Sequence, residues 1–483
     1  MRGGSSRVSS ATNLLREFIF YFSAVDLGFS RNKFTWAKGK WGSAAVKRRL
    51  DRGIASIAWR LAFPKASISH LGAFCSDHTP LILDTCLKET FAHRPFRFEA
   101  AWIRDPRCYS VIDNAWNEDV RGSHFTKLCK KQEATCKALR KWNKEVFGMC
   151  QTRINSLIHK ISEIQRAEPS DWNGNIEAKL QAELREWLLR SEVLWHQKSR
   201  ELWLKEGDKN TNFFHLSTII RRHQNNIEAI RGDDGIWITD NCPIRQHLQE
   251  KFKNLFTAED VNFLNQLEDL ISTVISEEEN RALCKIPTPE EIKSTLFHMP
   301  ELKAPGPDGF PVAFYKSYWP IVGEDVIAAV TSFFIDESMP KEVNSSLIIL
   351  IQKVPNPSSF NNYRPINLRN VIYKIISKLL VIRIRPILLR FISPSQSAFI
   401  PGRWIAENQM IVQELIHSFK IRKIKSGQMA IKIDLQKAYD RVNWDFLQAV
   451  LSKMGFNRTF TGWIMSCVST VSFEVLVNGG KSD

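Results

Sequence analysis

The segment from Ala430 to Phe456 constrains the fold more than any other part of the sequence; it reads AIKIDLQKAYDRVNWDFLQAVLSKMGF. Met429, Ile431 and Ile433 alternate with other residues, and this period of two predicts a short strand with one buried face. Asp434 follows at the end of that strand, where a carboxylate is well placed to hold a metal ion. The sequence therefore predicts a strand that presents an acid at the edge of a sheet.

A helix is predicted directly after this strand. Asn443 can cap its first turn and Gly455 can end it. The apolar positions between them fall on one helical face: Phe446, Leu447, Val450, Leu451 and Met454. Two-metal phosphoryl transfer uses carboxylates at the mouth of such a sheet, because Mg²⁺ takes oxygen ligands and bridges a triphosphate to the attacking hydroxyl. Asp434 can supply one such ligand, whereas an isolated Asp at a strand end is commonly a solvated surface group.

The charge of the chain favours a polyanionic partner. The 483 residues include 67 Lys and Arg against 51 Asp and Glu, a net charge of +16. Residues 341–425 hold fourteen basic and three acidic side chains, a net +11, and residues 121–231 hold a net +8. Because Lys and Arg contacts to phosphate give sequence-independent affinity, nucleic acid is the first partner to test. An anionic membrane surface is the alternative that charge alone leaves open.

Three further segments precede this region: LKAPGPDGF at 302–310, LIQKVPNPSSFNNYRPINLRNVIYKIISKLL at 350–380 and ISPSQSAFIPGRWIAENQ at 392–409. With the Asp434 segment they resemble, in order, the fingers and early palm of reverse transcriptases from LINE-type (non-LTR) retrotransposons of plants. The resemblance implies an RNA-directed DNA polymerase that uses Mg²⁺, a dNTP, an RNA template and a DNA primer or target. Gln352 departs from the family, which usually has proline there.

The resemblance also implies roles for single residues. Asp434 corresponds to the first catalytic, metal-binding Asp, and Tyr439 to the aromatic residue whose ring excludes a ribose 2′-hydroxyl. Lys353 and Arg364 match basic residues that bind the nucleotide, where Arg can meet a phosphate bidentately and Lys offers a point charge. Either basic residue taken alone is more commonly a solvated surface charge. Asp440 belongs to the family pattern, without an implied metal role.

A second resemblance lies near the amino end, on FTW at 34–36, RLDR at 49–52 and SDHTPLIL at 76–83. PLIL predicts a buried strand directly after His78, so Asp51 and His78 can converge on one sheet edge. These segments resemble the closing part of the endonuclease/exonuclease/phosphatase domain that precedes the polymerase in the same retrotransposons. The resemblance implies that His78 is catalytic, that Asp51 orients it and that Asp77 lies near a metal. A His next to an Asp is otherwise a structural pair.

The middle of the chain has a helical pattern from about residue 113 to residue 222, with a break at EPSDWNG, 168–174. Two segments, 94–106 before this region and 203–222 at its end, resemble the linker between nuclease and polymerase in the same elements. Basic and aromatic residues in them suggest contact with nucleic acid, but tryptophans at helical spacing favour a core position. The core interpretation is preferred for the four in this region: Trp142, Trp187, Trp195 and Trp203.

These observations predict an α+β protein in three parts. Residues 1–88 form the C-terminal part of an α/β nuclease sandwich, residues 89–285 a largely helical linker, and residues 286–483 the fingers and incomplete palm of a right-hand polymerase. Both catalytic units are expected to be truncated, since no Asp-Asp pair follows Asp434 and the upstream Glu and Asn of the nuclease family would precede Met1. VSFEVLVNGG, 471–480, is expected to be an unpaired strand that ends in a turn without its returning strand.

The chain alone is therefore expected to be an inactive, partial retrotransposon product. Two alternatives stay open: a non-catalytic, basic nucleic-acid-binding protein derived from a retroelement, and a stand-alone metal-dependent phosphoesterase built on His78. Nine scattered cysteines without CxxC or zinc-ligand spacing predict reduced thiols. With no membrane-length apolar run and no secretory signal in Met1 to Arg16, we expect an intracellular protein, nuclear or cytoplasmic, that is not secreted and has no membrane partner. A transit peptide is an alternative for that opening, and the sequence makes no prediction of oligomeric state.

Overall fold

The computed structural model describes residues 10–22, 24–38, 46–71, 77–85, 95–166, 170–199, 211–257, 270–354, 357–421, 429–435 and 437–481. Helices and strands both contribute, so the predicted α+β class is confirmed at that level. Among the described helices, none is long and apolar enough to cross a membrane. The cysteines that the structure describes are all unpaired.

The first part of the chain contains short strands around a small apolar core of Leu27, Phe29 and Ile68. The elements are α1 (Ser10–Tyr21), β1 (Ala24–Asp26), β2 (Ser30–Arg31), β3 (Trp36–Lys38), β4 (Val46–Arg48), β5 (Ile54–Ser56), α2 (Ile57–Ala62), β6 (Ser67–His70) and β7 (Leu81–Asp84). Strand β6 pairs in parallel with β2 and antiparallel with β7, and two separate ribbons pair β1 with β5 and β3 with β4.

The strand predicted after His78 is present as β7, but the prediction that it is buried is wrong. Ile82 and Leu83 are exposed, because β7 lies at the edge of its three-stranded sheet and pairs with β6 alone among the described strands. Residues 77–79, directly before β7, still lie beside β3, where Trp36 forms a β-bridge with His78. The error therefore changes the packing of β7 and leaves the position of His78 as expected.

The middle part is helical, as predicted. One helix ends at Arg166 and the next begins at Asp171, so the helices are separate as predicted, but residues 171–174 of the predicted break belong to the second helix. The elements are α3 (Pro106–Trp116), α4 (His124–Trp142), α5 (Cys150–Arg166), α6 (Asp171–Ser199), α7 (Thr211–Gln224), β8 (Ile230–Arg231), β9 (Trp237–Ile238) and α8 (Asn241–Phe256). Trp142 and Trp187 are buried in the core and Trp195 is half-buried, whereas Trp203 lies outside the described residues.

The last part combines helices with a four-stranded sheet. The elements are α9 (Glu277–Leu283), α10 (Pro289–Phe297), α11 (Val312–Ser317), α12 (Trp319–Asp336), β10 (Ser345–Gln352), β11 (Tyr363–Arg369), α13 (Val371–Ile384), α14 (Leu388–Phe391), α15 (Ile405–Ile421), α16 (Trp444–Lys453), α17 (Arg458–Ser469), β12 (Ser472–Val477) and β13 (Gly480–Lys481). The strand order in the sheet is β11-β10-β12-β13, with β10 antiparallel to β11 and parallel to β12.

One continuous core joins the middle helices to the last part of the chain. It includes residues of α3 and α4 together with residues of α12, α13 and α17. Polar contacts cross the same boundary: Gln132 donates to the Tyr315 hydroxyl at 2.6 Å, and Trp116 and Lys131 donate to one oxygen of Asp325 at 2.8 and 2.7 Å. The middle helices therefore pack directly against the helices of the last part.

Two strand predictions in the last part are wrong. Residues 429–435 form no strand, and Met429 and Ile433 are 79% and 80% exposed, because no described strand pairs with this segment. Conversely, β12 is paired, and Asn478 and Gly479 turn it into β13, with Val477 opposite Gly480. Both turn residues have positive φ, 51° and 85°, which is the conformation that an Asn-Gly hairpin turn favours. The expectations that β12 is unpaired and that no strand returns after its turn are therefore wrong, since β12 pairs with both β10 and β13.

Candidate polymerase and nuclease sites

The helix after Asp434 forms as its end signals predict. The Asn443 side chain accepts a hydrogen bond from the Phe446 amide at 3.0 Å, which satisfies one free amide of the first turn of α16. Gly455 ends the helical region with φ of +90°, a conformation that L-residues with a side chain rarely adopt. Leu451 is the buried residue of the predicted apolar face. The segment on the carboxyl side of Asp434 is thus fixed by local chemistry.

Asp434 itself is exposed, as are its neighbours within residues 429–435. Among the described residues, no group of three or more His, Cys, Asp or Glu side chains could hold a metal ion. Mg²⁺ is commonly bound through one or two carboxylates plus substrate phosphates, so the Asp434 carboxylate fits as one oxygen ligand. A site made of protein ligands alone does not fit the described residues.

Lys353 and Arg364 come to the same end of the β10–β11 hairpin. Arg364 lies opposite Ile351 in the ladder, and the Lys353 amide donates to the Asn362 carbonyl at 2.8 Å just beyond the strands. Both side chains are exposed. The hairpin therefore presents two cations at one end, as a phosphate-binding surface requires.

The segment after Asp434 contacts this hairpin through a residue that the sequence analysis missed. The Lys437 ammonium lies 3.8 Å from the centroid of the Phe360 ring, in the connection between β10 and β11. Tyr439 is 75% exposed and meets the Phe399 ring edge-on, with centroids 6.0 Å apart. Lys353 and Tyr439 are both predicted nucleotide-binding residues, and they lie on different segments. The cation–π contact between Lys437 and Phe360 joins those two segments.

The electrostatics of Lys437 reflect its surroundings. Burial lowers the pKa of its ammonium, Asp440 opposes this, and the charges of Lys353, Arg441 and Lys251 lower the pKa further. Like charges have this effect only when they lie close to one another. Four cations from three separate segments therefore share one region of the surface. The position of Lys437 between Asp434 and Tyr439 was the available sequence signal. Hydrophobic periodicity, however, does not indicate which residue a lysine contacts.

Near the amino end, Asp51 and His78 are brought together. The His78 Nδ1 atom lies 3.0 Å from a carboxylate oxygen of Asp51, and both side chains are partly exposed. Burial raises the pKa of the Asp51 carboxyl, but hydrogen bonds with Thr35 and His78 outweigh it and the net shift is downward. The Thr35 hydroxyl also accepts from the Leu50 and Asp51 amides at 3.0 Å. An ionised Asp51 can therefore hold the imidazole in a fixed orientation.

Asp77 is positioned by β3. The Trp36 indole donates to an Asp77 carboxylate oxygen at 2.9 Å, and the Ala37 amide donates to the Asp77 carbonyl at 2.9 Å. Trp36 forms a β-bridge with His78, and the Thr79 amide donates to the Thr35 carbonyl at 2.7 Å. The backbone of residues 77–79 is thereby fixed next to Asp51. The arrangement can orient the His78 imidazole for proton transfer, and the catalytic role of His78 stays a prediction.

The KAPGPDG turn braces the chain. An Asp308 carboxylate oxygen accepts from the Phe310 amide at 3.1 Å, and the Asp308 amide donates to the Asn370 side chain at 3.2 Å. The Gly309 carbonyl accepts from the Phe98 amide at 3.0 Å, which ties the turn to the segment before α3. Burial raises the pKa of the half-buried Asp308 carboxyl to about 7. This turn therefore has a structural role.

Comparison with known proteins bears on the region with the basic hairpin. A family model described as reverse transcriptase (RNA-dependent DNA polymerase) matches residues 351–482. Over this range the chain is similar to reverse transcriptases. The range includes Lys353, Arg364, Asp434 and Tyr439, which supports the predicted polymerase family at the level of the domain.

A relative extends the similarity to most of the chain. A Xenopus laevis protein described as the transposon TX1 uncharacterized 149 kDa protein is 24% identical over 97% of this chain. The chain covers 36% of that protein, so it spans about a third of the length of its relative. Similarity to a transposon protein supports the predicted retrotransposon origin. The LINE class, the nuclease domain and the roles of the individual site residues stay predictions.

Proposed function

We propose that residues 286–483 form the fingers and part of the palm of the RNA-directed DNA polymerase of a LINE-type (non-LTR) retrotransposon, of the kind found in plants. The reverse transcriptase match over residues 351–482 carries this proposal. The contact between Lys437 and Phe360 supports it, because it brings the segment after Asp434 to the basic hairpin. We place the protein inside the cell, where it binds an RNA template, a DNA primer or target, and a dNTP.

Each predicted residue has a proposed role. Lys353 and Arg364 bind phosphates of the nucleotide, and the exposed ring of Tyr439 discriminates against a ribose 2′-hydroxyl. Asp434 supplies one carboxylate oxygen to Mg²⁺, which would neutralise phosphate charge during nucleotidyl transfer. These roles match the exposure of all four side chains at the surface of the described structure.

We further propose that this chain alone does not polymerise DNA. Two-metal catalysis requires several carboxylates, and in the 483 residues no Asp-Asp pair follows Asp434. The test is primer extension on an RNA template with a DNA primer, Mg²⁺ and all four dNTPs. We expect no product from the chain or from its Asp434→Asn variant. Mg²⁺-dependent extension that Asp434→Asn abolishes and the control Asp445→Asn retains would overturn the proposed inactivity.

Binding tests the polymerase assignment separately. We expect the chain to bind an RNA template annealed to a DNA primer, with affinity that falls steeply as salt rises. Fluorescence anisotropy of a labelled primer measures this directly. If the chain fails to bind the template–primer even at low salt, the polymerase proposal is wrong, since the basic surfaces then serve another purpose.

For residues 1–88 we propose a remnant of an endonuclease/exonuclease/phosphatase domain. In it His78 is catalytic, Asp51 orients the imidazole and Asp77 lies beside the metal. The 3.0 Å contact between Asp51 and His78 supports this assignment. Plasmid nicking tests it: we expect no activity from this chain, and nicking that is lost in His78→Ala would instead support an independent phosphoesterase.

The second candidate function is binding of nucleic acid without catalysis. The net charge of +11 over residues 341–425, together with the four cations grouped around Lys437, favours it. In that case template–primer and unrelated RNA bind with similar affinity and similar salt dependence. Preference for a recessed template–primer end over a blunt RNA duplex would instead favour the polymerase.

A further inference from the structure

The Phe360 ring lies at the junction of three chain segments. The ring belongs to the connection between β10 and β11 and is almost fully buried. Phe252 of α8 meets it edge-on, with centroids 5.0 Å apart and planes at 84°. Lys437 covers the ring, with its ammonium 3.8 Å from the centroid. One aromatic side chain thus joins α8, the hairpin and the segment after Asp434.

Each of these segments brings a cation to the junction. Lys251 directly precedes Phe252 on α8, and the backbone amide of Lys353 donates a hydrogen bond to the Asn362 carbonyl at the end of the hairpin. Arg441 closes the single 3₁₀ turn Ala438–Arg441, which packs against α8. The contacts of Phe360 with Lys437 and Phe252, and the packing of the Ala438–Arg441 turn against α8, bring these segments together. The lowered pKa of Lys437, to which the charges of Lys251, Lys353 and Arg441 contribute, agrees with this grouping.

The cations outnumber their acidic partners. Lys251 donates to both carboxylate oxygens of Asp233 at 2.7 and 2.5 Å, and Asp440 lies near Lys437. The Asp233 side chain is 79% exposed, so this ion pair lies at the surface and exchanges readily with solvent. Among the described residues that these contacts involve, four are positive and two are negative, an excess of two. An incoming anion can therefore replace Asp233 on Lys251.

We propose that Lys251, Lys353, Lys437 and Arg441 form one polyphosphate-binding site around Phe360. Its ligand is a chain of adjacent phosphates, from either a nucleoside triphosphate or a nucleic-acid backbone. This inference deepens the proposed function, on which it rests. It adds α8 to the binding surface, although α8 lies outside residues 351–482, which resemble reverse transcriptases. The α8 helix and the hairpin therefore bind the ligand together.

The chemistry fits this class of ligand. Ammonium groups are point charges that accept phosphate oxygens from several directions, whereas Arg441 can form two parallel hydrogen bonds to one phosphate. The Phe360 ring holds Lys437 in place without neutralising it, because a cation–π contact leaves the ammonium charge intact. Adjacent phosphates carry closely spaced negative charges, which match four grouped cations better than a single carboxylate does.

The test measures binding of inorganic tripolyphosphate to the full chain by isothermal titration calorimetry, without Mg²⁺. We expect Lys251→Gln to weaken binding about fivefold to tenfold, the effect of losing one charge-assisted contact. The matched control is Lys253→Gln, an exposed position on the same helix with the same change of charge, which should weaken binding less than about twofold. Asp233→Asn should tighten binding about twofold to fivefold, because it releases Lys251.

A second arm identifies the source of the phosphates, with a single-stranded RNA oligonucleotide in place of tripolyphosphate. If Lys251→Gln weakens tripolyphosphate alone, the ligand is a nucleoside triphosphate; if it weakens both, the site also holds the backbone. Equal effects of Lys251→Gln and Lys253→Gln on tripolyphosphate would overturn the site. Failure of the unmodified chain to bind template–primer would instead overturn the proposed polymerase function, so the two failures are distinct.

Discussion

The substitution Asp308→Asn should stabilise the protein at neutral pH and leave it unchanged in acid. Asp308 is half-buried in the turn that ties the hairpin region to the middle helices. Burial raises the pKa of its carboxyl from 3.8 to about 7, although the Phe310 amide and Lys374 both favour the ionised form. The carboxyl is therefore protonated more readily in the folded chain than in the unfolded chain.

The sign of the effect follows from proton binding. Between about pH 4 and pH 7 the folded state binds more protons than the unfolded state, so the free energy of unfolding falls as pH rises. A shift from 3.8 to about 7 corresponds to about 4 kcal/mol once the pH exceeds 7. Because Asp308 is only half-buried, solvent screening reduces this to about 2–4 kcal/mol. Asparagine keeps the acceptor for the Phe310 amide and stays neutral at every pH.

The assay is urea unfolding followed by tryptophan fluorescence at pH 4, 5, 6, 7 and 8, because the folded and unfolded chains bind nearly equal numbers of protons at Asp308 only near pH 4 and below. The free energy of unfolding of Asp308→Asn should match the unmodified chain at the lowest pH and exceed it by about 2–4 kcal/mol at the highest. Asp119→Asn removes an exposed carboxylate from a loop and serves as the control, with an expected change below about 0.5 kcal/mol. If Asp308→Asn is destabilising at pH 8, the carboxylate is held ionised by its partners and the reasoning is wrong.

Substitutions at three further positions test other contacts, each by urea or thermal unfolding. Gly309→Ala should lower the free energy of unfolding by more than about 2 kcal/mol, because φ is +81° and an added Cβ would lie 2.3 Å from the Phe96 carbonyl oxygen. Asn443→Ala should lower the free energy of unfolding by about 1 kcal/mol, because the cap of α16 is lost. Asn443→Asp should keep the cap, since an aspartate side chain also accepts the hydrogen bond. Trp36→Phe should cost about 1 kcal/mol through loss of the hydrogen bond to Asp77, and the Thr79 amide should exchange with solvent faster.

The sequence predicted features that neighbouring residues determine. Asn443 and Gly455 mark the ends of one helical region, as predicted. The Asn443 cap depends only on an amide three residues away, and the left-handed conformation of Gly455 depends only on that residue, so both can be predicted from local sequence. Asp51 and His78 were expected to converge because a strand was predicted directly after His78. That convergence needs only the order of short strands, and it holds although β7 is more exposed than predicted.

The sequence failed where the outcome depends on distant partners. The alternation of Ile431 and Ile433 indicates a face that could be buried, but burial needs a neighbouring strand, and no described strand lies beside this segment. Lys437 was missed for the opposite reason. Its partner, Phe360, belongs to a different segment, and no periodic pattern relates a lysine to a ring across the fold.

The middle helices are part of the structure that holds the candidate polymerase site. The Asn478 side chain, in the turn between β12 and β13, donates to the Ile227 carbonyl at 2.9 Å and accepts from the Ile227 amide at 2.8 Å. Phe252 packs against the Phe360 ring, which also contacts Lys437, and Phe256 stacks on Phe473 of β12. Residues outside 351–482 therefore position both the sheet and the cations. Because α8 fixes the surface where phosphates are proposed to bind, movement of α8 would change the spacing of the four charges, and phosphate affinity would change with it.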